Sequence, residues 1–123
     1  MGIFNTRARL TGPTGRSEDV DLLVDTGATL VVVPRSLASR LELVPLRTQA
    51  VHLAGGGRDA WPVAAIHIAI DDREGPTLCF IAPEGPALLG AVALESLFLA
   101  PDPVARRLVP VEGFVMAGVG GQG

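Results

Sequence analysis

Several residue types are scarce or missing in these 123 residues, and most of the gaps exclude something. There is one cysteine, Cys79, so neither an internal disulfide nor a cysteine-rich zinc site can form. Aromatic residues make up 4% of the chain, too few for the stacking platforms that hold single-stranded nucleic acid. Positive charge is in deficit, with a formal net charge of −3, which argues against a phosphate-binding surface and so against a nucleic-acid partner. The ten basic residues are all arginine, for which the sequence offers no functional reason. No apolar run reaches the roughly 18 residues that a membrane span needs. Met1 to Leu10 carries Asn5, Arg7 and Arg9 and lacks the apolar stretch of a secretory signal. A cytoplasmic setting without membrane, metal or cofactor is the expectation.

What the chain does contain is material for a core. Hydrophobic residues are 48% and charged residues 19%, a globular balance. The length is about 0.8 of a typical domain, so one domain is expected. Gly 15 and Pro 10 are a high share of turn formers, which favours many short strands over a helical bundle.

Along the chain, Ile3 to Thr11 reads as a strand, Gly12 to Ser17 as a turn and Val20 to Asp25 as a returning strand with a buried Leu22-Leu23-Val24 run. Leu30 to Val33 is a short strand ended by Pro34. Arg35 to Leu41 can form a short helix, since Leu37 and Leu41 fall four apart. Thr48 to Leu53 and Val63 to Ile70 alternate in polarity around Gly55-Gly56-Gly57, the pattern of a hairpin. Asp71 to Gly75 reads as a charged turn, Thr77 to Ala82 as a buried strand, and Ala91 to Leu99 as a helix with Pro101 beyond it. Arg107 to Val111 is a last strand, and the glycines from Gly118 onward suggest a frayed tail.

The chemistry-bearing segment is Leu22-Leu23-Val24-Asp25-Thr26-Gly27-Ala28-Thr29. A buried strand running into a carboxylate places Asp25 rigidly, as a reacting acid requires. Thr26 can hydrogen-bond nearby backbone or a symmetry mate. Gly27 permits a tight turn and leaves its N–H open to the carboxylate. Asp-Thr-Gly is also a good turn sequence, arising by chance in roughly 2% of chains this long, so the tripeptide alone leaves a plain turn as an alternative.

The order of the other motifs narrows the choice. A strand ending in Pro34 follows the aspartate, then the glycine-tipped segment Leu53-Ala54-Gly55-Gly56-Gly57-Arg58, then Leu88-Leu89-Gly90 leading directly into a helix about 60 residues after Asp25. Over Ile3 to Val111 the chain resembles the retropepsin-like aspartic proteases, the single-domain relatives of pepsin, and looks most like their small bacterial members. The resemblance implies an all-β fold: a closed or partly open retropepsin-like (acid protease) β-barrel with one short C-terminal helix. Residues 1–115 would form the single domain and 116–123 a flexible tail. Two departures stand out. Thr29 and Ala91 occupy positions where retroviral members carry an acidic residue and an arginine, so the viral ion-pair network at the dimer base is not expected here.

The resemblance also implies a mechanism. Two aspartates share one proton and hold one water; one acts as base and the other protonates the peptide carbonyl oxygen. A chain with a single Asp-Thr-Gly would have to work as a C2 homodimer, with Asp25 of each copy meeting on the axis and the monomer inactive. Asp25 is then catalytic, Thr26, Gly27 and Ala28 support its loop, Leu53, Ala54, Gly55, Gly56, Gly57 and Arg58 form a flap over a peptide or protein substrate, and Leu88, Leu89 and Gly90 back the loop. Ala28 lacks the hydroxyl that pepsin-like enzymes tend to place there, so a mildly acidic to near-neutral optimum is expected. Apolar pocket residues would be Val32, Leu53 and Leu89.

Other residues suggest blander roles. His52 and His67 have no metal-ligand spacing around them, Cys79 sits in an apolar strand, Trp61 suits core or flap packing slightly better than substrate contact, and Asp71, Asp72 and Glu74 suit a solvated turn. The glycine tip could instead be a hairpin turn touching nothing; a phosphate cradle would need a Lys-Ser/Thr and a following helix that it lacks. Two other functions stay open: a catalytically quiet retropepsin-like dimer that binds peptides or proteins, and a plain β-barrel dimerisation domain.

Overall fold

The structure is a computed structural model, described for residues 3–115; the tail expected at 116–123 lies outside the described residues. Nine strands and two short helices follow in the order β1 (Asn5–Thr11), β2 (Ser17–Val24), β3 (Val31–Pro34), α1 (Arg35–Arg40), β4 (Pro45–His52), β5 (Arg58–Ile70), β6 (Arg73–Ala82), β7 (Leu88–Leu89), α2 (Ala91–Ser96), β8 (Leu99–Asp102) and β9 (Arg107–Pro110). Seven strands form one sheet in the order β1-β2-β7-β3-β6-β5-β4, and a further pairing of β1 with β5 curls it into a partly closed barrel. The strands β8 and β9 form a separate antiparallel pair.

Period-two alternation explains which side chains fill the barrel. In β5, Ala64, Ile66, Ile68 and Ile70 are buried while Ala65 faces solvent and His67 and Ala69 are half-buried. In β3, Val31 and Val33 are fully buried in the core. Leu10, Leu22, Val24, Leu41, Cys79 and Leu89 join them with no exposed surface, and no polar or charged side chain is buried among the described residues. Burial pushes the Cys79 thiol up to about 12, against a smaller opposing effect of a backbone hydrogen bond from Ala64; the thiol stays protonated and packs as a small apolar side chain.

Outside the barrel, charge pairs dress the β1–β2 face. Arg7 and Arg9 lie in register with Asp21 and Asp19 and bond them at 3.1 and 2.9 Å. Arg40 of α1 reaches Glu18 of β2 at 2.7 Å.

The structure moves several element boundaries. The helix expected over Ala91 to Leu99 stops at Ser96, and Leu99 opens β8, whose pairing with β9 captures Pro101 opposite Leu108. The charged turn shrinks to Asp71 and Asp72, because Arg73 pairs with Ile70 and Gly75 with Ile68; Asp71 takes the left-handed conformation that the tight turn needs (φ 53°). The described residues hold two helices, α1 matching the short segment expected after Pro34 and α2 the one expected before Pro101. Two features hidden from local pattern are β7, only Leu88–Leu89, and the early start of β4 at Pro45.

Candidate active site

The loop Asp25 to Thr29 leaves the buried end of β2. Its anchorage starts one residue earlier, where the Val24 N–H donates to the Phe4 carbonyl (2.8 Å) and the Ile3 N–H to the Val24 carbonyl (3.1 Å). The Asp25 N–H donates to the Leu89 carbonyl (3.0 Å), and the Ala28 N–H closes the turn on the Asp25 carbonyl (3.1 Å). The carboxylate is half-buried, and its Oδ1 accepts the Gly27 N–H at 2.9 Å. Thr26 and Gly27 are exposed beside it.

Leu88, Leu89 and Gly90 grip the same loop from the other side. The strand β7 lies parallel to β2, with Leu23 opposite Leu88 and Val24 opposite Leu89. The first amides of a helix have no partner within it. In α2 those of Ala91 and Val92 donate to the Ala28 and Thr29 carbonyls (2.9 and 3.0 Å). Such a close approach leaves no room for a side chain at position 90: a Cβ on Gly90 would lie 2.3 Å from the Leu30 carbonyl oxygen and 2.7 Å from that of Ala28.

Asp25, Gly27, Ala28 and Thr29 border a cleft of about 600 Å³, within the usual range for a ligand site. Register builds one apolar wall. Val32 pairs with Leu88 on one side and with Phe80 on the other, and Phe80 pairs with Val63. Paired residues share a face of the sheet, so Leu88, Val32 and Phe80 form a row along the cleft. Trp61, two residues from Val63 and hence on its face, extends that row.

Across the cleft stands the β4–β5 hairpin. Every residue of β4 is exposed except Val51, which is half-buried. The turn is closed by the Leu53 N–H on the Gly57 carbonyl (2.8 Å) and the Gly56 N–H on the Leu53 carbonyl (2.9 Å), and Gly56 takes a φ of +95° that glycine alone adopts freely. Ala50 to Ala54 border the cleft.

Of the residues singled out from sequence, Val32 and Leu53 border the cleft with Asp25. Leu89 does not. It is fully buried beside Val24, and its neighbour Leu88 faces the cleft; a one-residue step along a strand reverses the face. Arg58 opens β5 opposite His52 and is strand rather than loop. Trp61 and Phe80 border the cleft, whereas the sequence modestly favoured packing over substrate contact for Trp61 and suggested nothing for Phe80. His52 borders the cleft too, while His67 sits 3.3 Å from Glu74 on the outer surface. Among the described residues no group of His, Cys, Asp and Glu could hold a metal ion, and no helix is long and apolar enough to cross a membrane.

Residues 7–93, which include the Asp25 loop, the hairpin and Leu88 to Gly90, match the family model described as aspartyl protease. The chain belongs to the aspartyl protease family. Solved proteases share its fold. One is the protease of EIAV complexed with the inhibitor HBY-793 (TM-score 0.61, 21% identity, covering 76% of this chain and 86% of that one). Another is the solution structure of the simian foamy virus (mac) protease (TM-score 0.56, 18% identity, covering 79% and 98%). At such identities the likeness speaks for the fold alone, which is retropepsin-like. No curated protein sequence matches the chain.

Proposed function

We propose that this member of the aspartyl protease family is an endopeptidase that works as a C2 homodimer, each copy contributing Asp25. One carboxylate takes a proton from a bound water as that water attacks the peptide carbonyl carbon; the other gives its proton to the carbonyl oxygen. Collapse of the tetrahedral diol breaks the C–N bond as the first carboxyl passes the proton it took from water to the amine leaving group and the second recovers a proton from a diol hydroxyl. Two carboxylates about 3 Å apart share one proton because both cannot ionise easily.

The observation that carries this reading is the position of the Asp25 carboxylate. It sits half-buried at the end of a core strand, backed by Leu89 and α2, and borders an apolar cleft under a glycine-tipped hairpin. An extended peptide fits between that hairpin and the Leu88–Val32–Phe80 row, with flap N–H groups donating to its backbone. The exposed Phe98, Val111, Phe114 and Val115 offer apolar area for contact between copies, and exposed Thr26 stands beside the acid, where a two-fold axis would bring it against its mate. With Ala28 beside the dyad, the activity optimum falls in the mildly acidic to near-neutral range.

The test is cleavage of an unstructured protein by the wild-type chain and by Asp25→Asn, with sedimentation recording the oligomeric state of both. The expected result is fragments from the wild type only, with both chains dimeric, and a rate per chain that climbs with concentration until dimerisation saturates. Equal cleavage by both chains, or full activity from a monomer, overturns the reading.

A further inference from the structure

Trp61 is the only tryptophan in the chain. It stands where the flap strand β5 enters the barrel, half-buried, and borders the cleft that contains Asp25. Two contacts fix its ring. The indole Nε1–H donates to Asp59 Oδ2 at 3.0 Å, while the other oxygen of that carboxylate accepts the Ala60 N–H at 2.8 Å. The ring meets Phe80 edge to face, with centroids 6.2 Å apart and planes at 74°.

The Asp59 bond holds the ring to its own strand, and the Phe80 contact ties it to the apolar wall of the cleft. A half-buried tryptophan whose polar N–H is already satisfied presents only apolar surface to what enters. With two rotatable bonds and both ends of the ring held, it loses little freedom on contact. The wall formed by Trp61, Phe80, Val32 and Leu88 therefore suits a large aliphatic or aromatic side chain and gives a small or charged one nothing to pair with.

We propose that Trp61 is a specificity-determining residue that selects a bulky apolar substrate side chain, and that Asp59 is the positioning residue that holds its indole for the task. The proposal rests on the protease reading for its substrate class, a peptide, but concerns recognition rather than the chemistry of cleavage.

The experiment uses the full chain and synthetic peptides that differ at one position, with Phe, Leu, Ala or Asp there. On wild type, Phe and Leu peptides are cleaved best. Trp61→Ala lowers kcat/KM for them by about 10-fold or more relative to the Ala peptide, and most of the loss falls on KM. Trp61→Phe restores the ranking, because an aromatic wall returns. Asp59→Ala shifts the Trp61 emission, which reports the freed indole directly, and weakens the preference; a bond to Asp59 with no part in recognition would shift the emission and leave the preference unchanged. Circular dichroism checks that each variant folds. An unchanged ranking in a folded Trp61→Ala overturns the proposal.

Peptide binding to Asp25→Asn, read as a change in Trp61 fluorescence, separates the two ideas. A response graded Phe and Leu over Ala supports the inference even if no chain cleaves anything. Cleavage by wild type without any Trp61 response to peptide leaves the protease standing and removes the inference.

Discussion

The two walls of the cleft are built on opposite principles. On one side the Asp25 loop is tied down from three directions: the segment before β1 through Phe4, β7 through Leu89, and α2 through its first two amides. On the other, the β4–β5 hairpin lies open to solvent along nearly the whole of β4, and its tip closes on itself with two hydrogen bonds. The difference shows at single atoms. A Cβ on Gly90 would strike two carbonyl oxygens, whereas one on Gly55 would meet nothing within 4 Å. Packing and hydrogen bonds hold the Asp25 loop on several sides, while little packing holds the hairpin.

The sharpest test of the fixed side is chemical. Asp25→Asn is expected to cut peptide cleavage by about 10²- to 10⁴-fold or more while melting temperature and dimer stay close to wild type, because the amide still accepts the Gly27 N–H. Gly90→Ala breaks the same side by geometry. It is expected to cost about 1–3 kcal/mol of stability through forced displacement of the Leu30 and Ala28 carbonyls, read by chemical denaturation, and to lower activity with it. On the open side, Gly56→Ala strains a left-handed turn for about 1 kcal/mol, and Gly55→Ala is expected to stay within about 0.5 kcal/mol; a large loss from Gly55→Ala would mean that the hairpin is packed after all. Amide hydrogen exchange compares the walls directly: the Leu53 and Gly56 amides should exchange well before those of Asp25, Ala91 and Val92.

The smallest effect lies outside the cleft. A hydrogen bond from Arg40 holds the Glu18 carboxyl below the usual carboxylate range, and one from Arg9 does the same for Asp19. Groups with lowered folded-state values stabilise above their unfolded values, and that stability is lost as pH falls through the folded ones. Thermal melts of Glu18→Gln and Asp19→Asn should therefore differ slightly from wild type near neutrality and converge on it below about pH 4. Since these pairs are exposed, added salt should shrink the difference.

Much of this arrangement was legible locally. Asp25-Thr26-Gly27 at the end of an apolar strand, Leu88-Leu89-Gly90 before a helix and three glycines between alternating segments are each complete within a few residues, and the turns, strand ends and helix start they signal are decided by neighbours in sequence. The extent of β5 was less visible, because Arg58 to Pro62 are strand only by virtue of pairing with Thr48 to His52.

What the sequence by itself determined is the acid on its strand, the glycine that lets a backing loop approach it, and an all-β chain of short strands. Tertiary structure decided which side chains border the cleft beside the acid. Val31, Val32 and Val33 are identical residues, yet only Val32 borders the cleft, and of Leu88 and Leu89 only the first does. Trp61 and Phe80 join them from strands that lie far along the chain. Alternation says that neighbouring residues in a strand point to opposite faces, but which face meets the core depends on the partner strands and their register, and those are chosen by contacts between distant parts of the chain.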